Sequence, residues 1–181
     1  TVRAVDRLRR ADVVVWASSL VPGDVLGHCR DDVRVHDSAG MTFEDVTAVY
    51  ERHPDAAIVR LHSGDLSIYS AVQEQIDWCL AHDRAFEIVP GVGSLAAASA
   101  ALARELTVPG VAQSVVATRL PGRTAASMPD RETVAGFARH GATMAVSLSG
   151  ARPEQLRDEL RAGGEGYAHD TPAAVIVLTT L

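Results

Sequence analysis

Two strand-to-helix junctions, HSGDLSIYSA at 62–71 and VPGVGSLAAA at 89–98, lie one βα unit apart, and each places glycine where an apolar run gives way to a helical pattern. Glycine lets a backbone turn tightly and come close to a ligand. In open α/β sheets ligands bind outside the carboxyl ends of the strands, so two such loops side by side form the floor for one bound cofactor. Taken singly, each glycine need only permit a turn. The pairing on neighbouring strands, after polar or proline residues, favours a ligand cradle.

Within the second junction Gly91, Gly93 and Ala96 match G-x-G-x-x-A, the dinucleotide fingerprint. A nicotinamide site also wants an acid about 20 positions on, at the end of the next strand. That strand ends Ala117, Thr118, Arg119. An arginine there suits a phosphorylated dinucleotide, so an NADP-dependent oxidoreductase stays open on these residues. Asp65 can accept hydrogen bonds from a ligand's amine or hydroxyl groups, or cap the following helix, for which Ser67 is an equal candidate. Arg119 and Arg123 bracket the polar segment LPGRTAASMP at 120–129 and suit bidentate contacts to an anionic substrate.

Other chemistries recede. All 17 basic residues counted as Lys or Arg are Arg, which removes the phosphate-loop lysine and Schiff-base catalysis from this chain. The G-x-S-x-G elbow of a serine hydrolase is missing. The 7 histidines show no ligand spacing, so no metal site is expected. Cys29 and Cys79 form neither a disulfide framework nor a metal cluster and are expected to be reduced. No residue stands out as a general base.

These residues need a scaffold of parallel strands. Apolar runs at 12–17, 33–36, 57–62, 86–90, 114–119, 143–149 and 173–179 alternate with helical patterns, which is the signature of an α/β fold. Helix starts are predicted at Thr42 with Asp45 three residues on, at Asp130, and at Pro153, with stops at Gly141 and Gly163. A helix over 67–82 is predicted to bury Ile68, Val72, Ile76 and Cys79 or Leu80. Pro109 and Gly110 in TVPGVA suggest a hinge, dividing the chain into α/β domains over 1–110 and 111–181.

The 47% hydrophobic content supports a proper core. A net charge of -6 without a clustered basic face argues against nucleic acid. No apolar run reaches the roughly 20 residues that span a bilayer, so the expected location is the cytoplasm.

The segments ADVVVWASSLVP, DSAGMTFEDV, RLHSGDLSIYSAVQEQI, EIVPGVGSLAAASAALARELTVPGVAQSVVATR and GRTAASMPDRET, taken in order, resemble the tetrapyrrole methylases over essentially the whole chain. SSLVP and SAGMT favour members acting at ring carbon C11. The resemblance implies two α/β domains holding S-adenosylmethionine in the cleft between them, S-adenosylhomocysteine as product, and a homodimer. It carries cofactor contacts onto Ser63, Gly64, Asp65, Ile68, Gly93 and Ser94, and, in the second domain, onto Leu148, Ala173 and Ala174. It also gives Arg119 and Arg123 a polycarboxylate macrocycle to bind. Direct methyl transfer, with no covalent enzyme intermediate, is the implied chemistry; a catalytically inactive binding protein is the alternative. Leu66 stands where the family has proline, and Ser70 where it has glycine. Thr1 aligns with the end of the family's first glycine-rich loop and Leu181 falls before its last strands, so those parts are expected to be missing.

Overall fold

The computed structural model describes residues 1–122, 126, 128–162 and 166–176. The chain divides into two compact units, Thr1–Ala97 and a second beginning at Ala98. The TVPGVA segment lies inside the second, where Val108 and Ala112 form an isolated antiparallel bridge around Gly110, whose φ is +75°.

In the first unit, α1 (Val2–Arg10) is capped by the Thr1 hydroxyl, which accepts from the Ala4 amide at 3.4 Å. Arg7, Arg9 and Arg10 in its last turn oppose the negative end of the helix dipole. A parallel sheet follows, built from β1 (Val13–Trp16), β2 (Arg34–Asp37) and β3 (Ile58–Arg60) in the order β2-β1-β3. Val13 stands opposite Arg34 on one side and Ile58 on the other. The central strand is apolar on both faces because both are covered, as parallel sheets require. Val13 and Val15 pack with Val46, Val49 and Tyr50 of α2 (Phe43–Arg52), whereas Val14 packs with Leu8 and Ala11 at the end of α1. Asp12, just ahead of β1, accepts from the Ala57 amide at 2.8 Å and from Arg30 at 3.0 Å.

The predicted start of α2 is realised as a full capping box between Thr42 and Asp45. Its far end is closed by Arg84, which donates to the carbonyls of Tyr50 at 2.9 Å and His53 at 3.0 Å. The expected helix over 67–82 is shorter: α3 spans Gln73–Ala81. Leu66 to Tyr69 make a turn instead, with Tyr69 (φ 56°) and Ala71 (φ 50°) in the left-handed region and the Ser70 hydroxyl donating to Leu66 O at 2.5 Å. The predicted buried face is therefore not formed. Ile68 and Leu80 are 41% and 63% exposed, and Trp78 packs against the α2 core in their place.

The expected strand at 86–90 joins no ladder among the described residues, and Phe86 and Ile88 remain exposed. A strand-forming composition needs a paired neighbour to become a strand. Here the segment is held by side chains: Thr1 Oγ1 donates to Pro90 O at 3.2 Å and Arg7 Nε to Glu87 at 2.7 Å.

Helix α4 (Ser94–Leu102) runs across the boundary into the second unit. There β4 (Val115–Arg119) lies parallel to β5 (Thr143–Ser147), with Val115 opposite Thr143 and Arg119 opposite Ser147. Leu120, Val134, Ala138 and Ala142 form its buried apolar residues. The helix expected from Asp130 begins later, as α5 (Val134–Ala138), because Thr133 supplies the cap to the Gly136 amide at 2.9 Å. Gly141 (φ +60°) follows that helix, and α6 (Pro153–Arg161) carries proline in its first turn as predicted. Of the last expected strand, residues 173–176 are in no ladder and 177–179 lie outside the described residues, as do Gly163 and positions 123–125 and 127 of the 120–129 segment.

Candidate functional site

The first unit brings the two glycine junctions together through one carboxylate. Asp65, at the carboxyl end of β3, accepts at Oδ1 from the Ser67 amide (2.9 Å) and hydroxyl (2.5 Å), and at Oδ2 from the Gly91 amide at 2.8 Å. Both local capping and a longer-range tie are thus realised at this residue. The Ser67 hydroxyl first, then the Ser67 and Gly91 amides, hold its carboxyl below the ordinary carboxylate range, so it is ionised at neutral pH.

The glycines are required here. Gly64 has φ +67°, and a Cβ added at Gly91 would collide with the Gly64 carbonyl. A Cβ at Gly93 would reach the Asp65 Cβ at 3.6 Å. Ser63, Gly64, Asp65, Gly93 and Ser94 consequently share one corner of the unit. Ile68 sits exposed on the turn that follows.

The remaining expected positions belong to the second unit. Arg119 ends β4 opposite Ser147, and Leu148 follows β5 directly with φ 56° and 70% exposure. Ala173 and Ala174 are exposed in the segment without a ladder, and Arg123 lies outside the described residues.

Further polar residues at the carboxyl edge escaped the sequence reading. Arg60 sends Nη1 to Val15 O (3.2 Å), Ser38 Oγ (2.9 Å) and Leu61 O (3.1 Å), so it joins the ends of β1 and β3 to the residue after β2. Its Nε is buried without a partner, and burial lowers its pKa. His62 is pushed down to about 4, mainly by burial and secondarily by the Arg60 charge, and is neutral at pH 7. Asp37, ending β2, accepts from the Ser18 amide (3.2 Å), the Ser18 hydroxyl (2.6 Å) and the Ala39 amide (2.9 Å). An arginine inside the apolar run AIVRLH was the available signal for the Arg60 cluster.

Among the described residues this corner offers open glycine backbone and a fixed anion, and places no activated nucleophile beside a base. Such an arrangement orients a ligand that already carries its own reactivity.

The comparisons with known proteins agree with that chemistry. The family profile described as Tetrapyrrole (Corrin/Porphyrin) Methylases matches residues 1–180. A precorrin-4 C(11)-methyltransferase of Rhodococcus erythropolis is 42% identical over 183 residues, covering 99% of this chain and 72% of that protein. A cobalt-precorrin-4 C(11)-methyltransferase of Methanocaldococcus jannaschii is 39% identical, covering 97% of this chain and 67% of its own. Among solved structures, a cobalt precorrin-4 methyltransferase superposes with a TM-score of 0.85 at 35% identity over 91% of this chain and 69% of that one. A uroporphyrin-III C-methyl transferase from Thermus thermophilus, complexed with S-adenosyl homocysteine, superposes with a TM-score of 0.70 at 28% identity over 90% and 70%. Matched by that profile over residues 1–180 and 42% identical over 99% of its length to one of these methyltransferases, the chain belongs to the tetrapyrrole (corrin/porphyrin) methylases.

Proposed function

We propose that this chain is an S-adenosylmethionine-dependent methyltransferase acting at C11 of precorrin-4 or cobalt-precorrin-4, in the biosynthesis of cobalamin. The observation that carries the reading is the 42% identity to a precorrin-4 C(11)-methyltransferase over 99% of this chain. The residues present fit the cofactor: the Gly64 and Gly93 backbones carry no side chain to exclude it, and Asp65 is a fixed anion between them. The G-x-G-x-x-A match then belongs to the second glycine turn of a methylase rather than to a dinucleotide site.

S-adenosylmethionine, when bound, supplies a methyl group on a positively charged sulfonium. The chain's own contribution is alignment of two reactants and exclusion of water. Asp65 fixes the two glycine loops relative to each other and keeps lone-pair capacity for a ligand donor. Ser63, Ile68 and Ser94 flank that cradle, and Leu148, Ala173 and Ala174 are assigned cofactor contacts in the second unit. Arg119 and Arg123 are assigned to the carboxylates of the macrocycle. We also assign the chain to the cytoplasm as a homodimer; no helix of the described residues is long and apolar enough to cross a membrane.

Calorimetric titration with S-adenosylhomocysteine tests the reading. Micromolar binding is expected, weakened more than about tenfold, or roughly 1.4 kcal/mol, by Asp65→Ala. Absence of binding to the wild-type chain would reject it. Arg119→Ala is expected to raise KM for the macrocycle while leaving cofactor affinity unchanged.

A further inference from the structure

The two glycine loops occupy only part of the carboxyl edge of the first sheet. The rest is made by the loops after β1 and β2, at 17–22 and 37–42. The strand order β2-β1-β3 places these two loops side by side, with the loop after β1 between the loop after β2 and the Asp65 loop. They are tied into a single body. Asp37 receives three hydrogen bonds, two from Ser18 and one from Ala39. Ser38 N donates to Trp16 O at 2.7 Å, and Trp16 Nε1 closes the first loop on Val21 O at 2.8 Å.

The surface this body presents is mixed in character. Ser18, Ser19, Ala39 and Gly40 are exposed, and Leu20 is 61% exposed beside them. Beneath it Arg60 reaches Ser38 Oγ and forms no ion pair with any described carboxylate. Hydroxyls, an apolar tip and an uncompensated cation below suit a flat, largely apolar ring that bears carboxylates at its margin. A transfer between two bound molecules requires the second to lie at the same edge as the first, and ligands gather at this edge in parallel sheets.

We propose that Asp37 is a positioning residue for the tetrapyrrole: by holding the 17–22 and 37–42 loops as one rim, it sets substrate affinity without contacting the cofactor. This rests on the methyltransferase reading above. Asp37 acts through Ser18 and Ala39. Its own negative charge does not attract a polycarboxylate, so the geometry it imposes is the useful part.

The test compares Asp37→Ala, Asp37→Asn and Ser18→Ala in this chain, with two ligands measured separately. S-adenosylhomocysteine affinity is read by calorimetry; the macrocycle is read as KM in methyl transfer and as fluorescence quenching of uroporphyrin III, a stable polycarboxylate macrocycle. Asp37→Ala is expected to weaken the macrocycle by about tenfold and to leave S-adenosylhomocysteine within about twofold. Asp37→Asn restores most of the loss, since its amide oxygen still accepts from the two backbone amides. Ser18→Ala falls between them. Equal weakening of both ligands, or unchanged macrocycle binding in Asp37→Ala, overturns the proposal. If Asp37→Ala does not fold, Ser18→Ala decides: unchanged macrocycle binding there overturns it too. A wild-type chain that binds S-adenosylhomocysteine but not the macrocycle refutes this inference alone, whereas one that binds neither removes the reading beneath it.

Discussion

His62 offers a quantitative check on the carboxyl edge. Its ring pKa stands at about 4, against 6.5 for the ordinary imidazole, because burial and the adjacent Arg60 charge disfavour the cation. The unfolded chain therefore takes up the proton first. Stability from keeping the ring neutral is fully present above pH 6.5 and is lost as pH falls toward 4. Between pH 7 and pH 5 the linkage amounts to about 1.8 kcal/mol at face value. Solvent reaches part of the ring, which lowers this to about 1 to 1.5 kcal/mol. The perturbation is His62→Gln, which cannot titrate. Urea unfolding at the two pH values, followed by the fluorescence of Trp16 and Trp78, reports on the first unit. The wild type should lose about 1 to 1.5 kcal/mol more than the variant between pH 7 and pH 5. Asp12, Asp37, Asp65 and Glu87 all have lowered pKa values and titrate below this window in both proteins. Equal losses in the two proteins would refute the argument that the ring is held neutral by burial.

Three further outcomes follow from the geometry. Gly91→Ala drives a methyl into the Gly64 carbonyl, costing roughly 1 to 3 kcal/mol in urea unfolding and weakening S-adenosylhomocysteine in calorimetry. Thr42→Ala removes half of the α2 capping box and should lower stability by about 1 kcal/mol, read as a reduced Tm. Arg84→Met removes the charged donor from the carbonyls of Tyr50 and His53, which keep only the His53 and Ala56 amides at 3.3 and 3.4 Å; unfolding free energy should fall by roughly 2 kcal/mol, with macrocycle KM unchanged.

Much of this architecture was legible in local chemistry. The capping box of α2 and the proline start of α6 were readable because each depends on residues within one turn. So were the strands at β1, β2, β3, β4 and β5, read from apolar runs, although only β1 is buried along most of its length and β2 is largely exposed. The helix over 67–82 was misjudged because apolar periodicity continues through residues 66–71, while Tyr69 and Ala71 take left-handed backbone angles that periodicity does not register. The segment 86–90 has strand composition but no ladder among the described residues, and pairing is a non-local property. The pairing of the two glycine junctions was readable, yet the manner of their union was not: Asp65 reaches Gly91 across 26 positions. Arg60 and Asp37 were hidden for the same reason, since their partners Ser38 and Ser18 lie in the loops that follow other strands.

The central strand has a further consequence for how the first unit acquires its structure. Val13, Val14 and Val15 are all fully buried, so a slip of one residue along β1 would exchange one valine for another on both faces. Within the valine run polarity therefore gives no penalty for misalignment, unlike a strand with one wet face; the penalty comes at its ends, where a slip would carry Asp12 into the buried place of Val13. Discrimination falls to Asp12, whose two oxygens reach Ala57 before β3 and Arg30 before β2. A single half-exposed carboxylate thus works as the alignment mark of a hydrophobic sheet, and its loss would show as slow, heterogeneous refolding and aggregation more than as a missing contact in the native state.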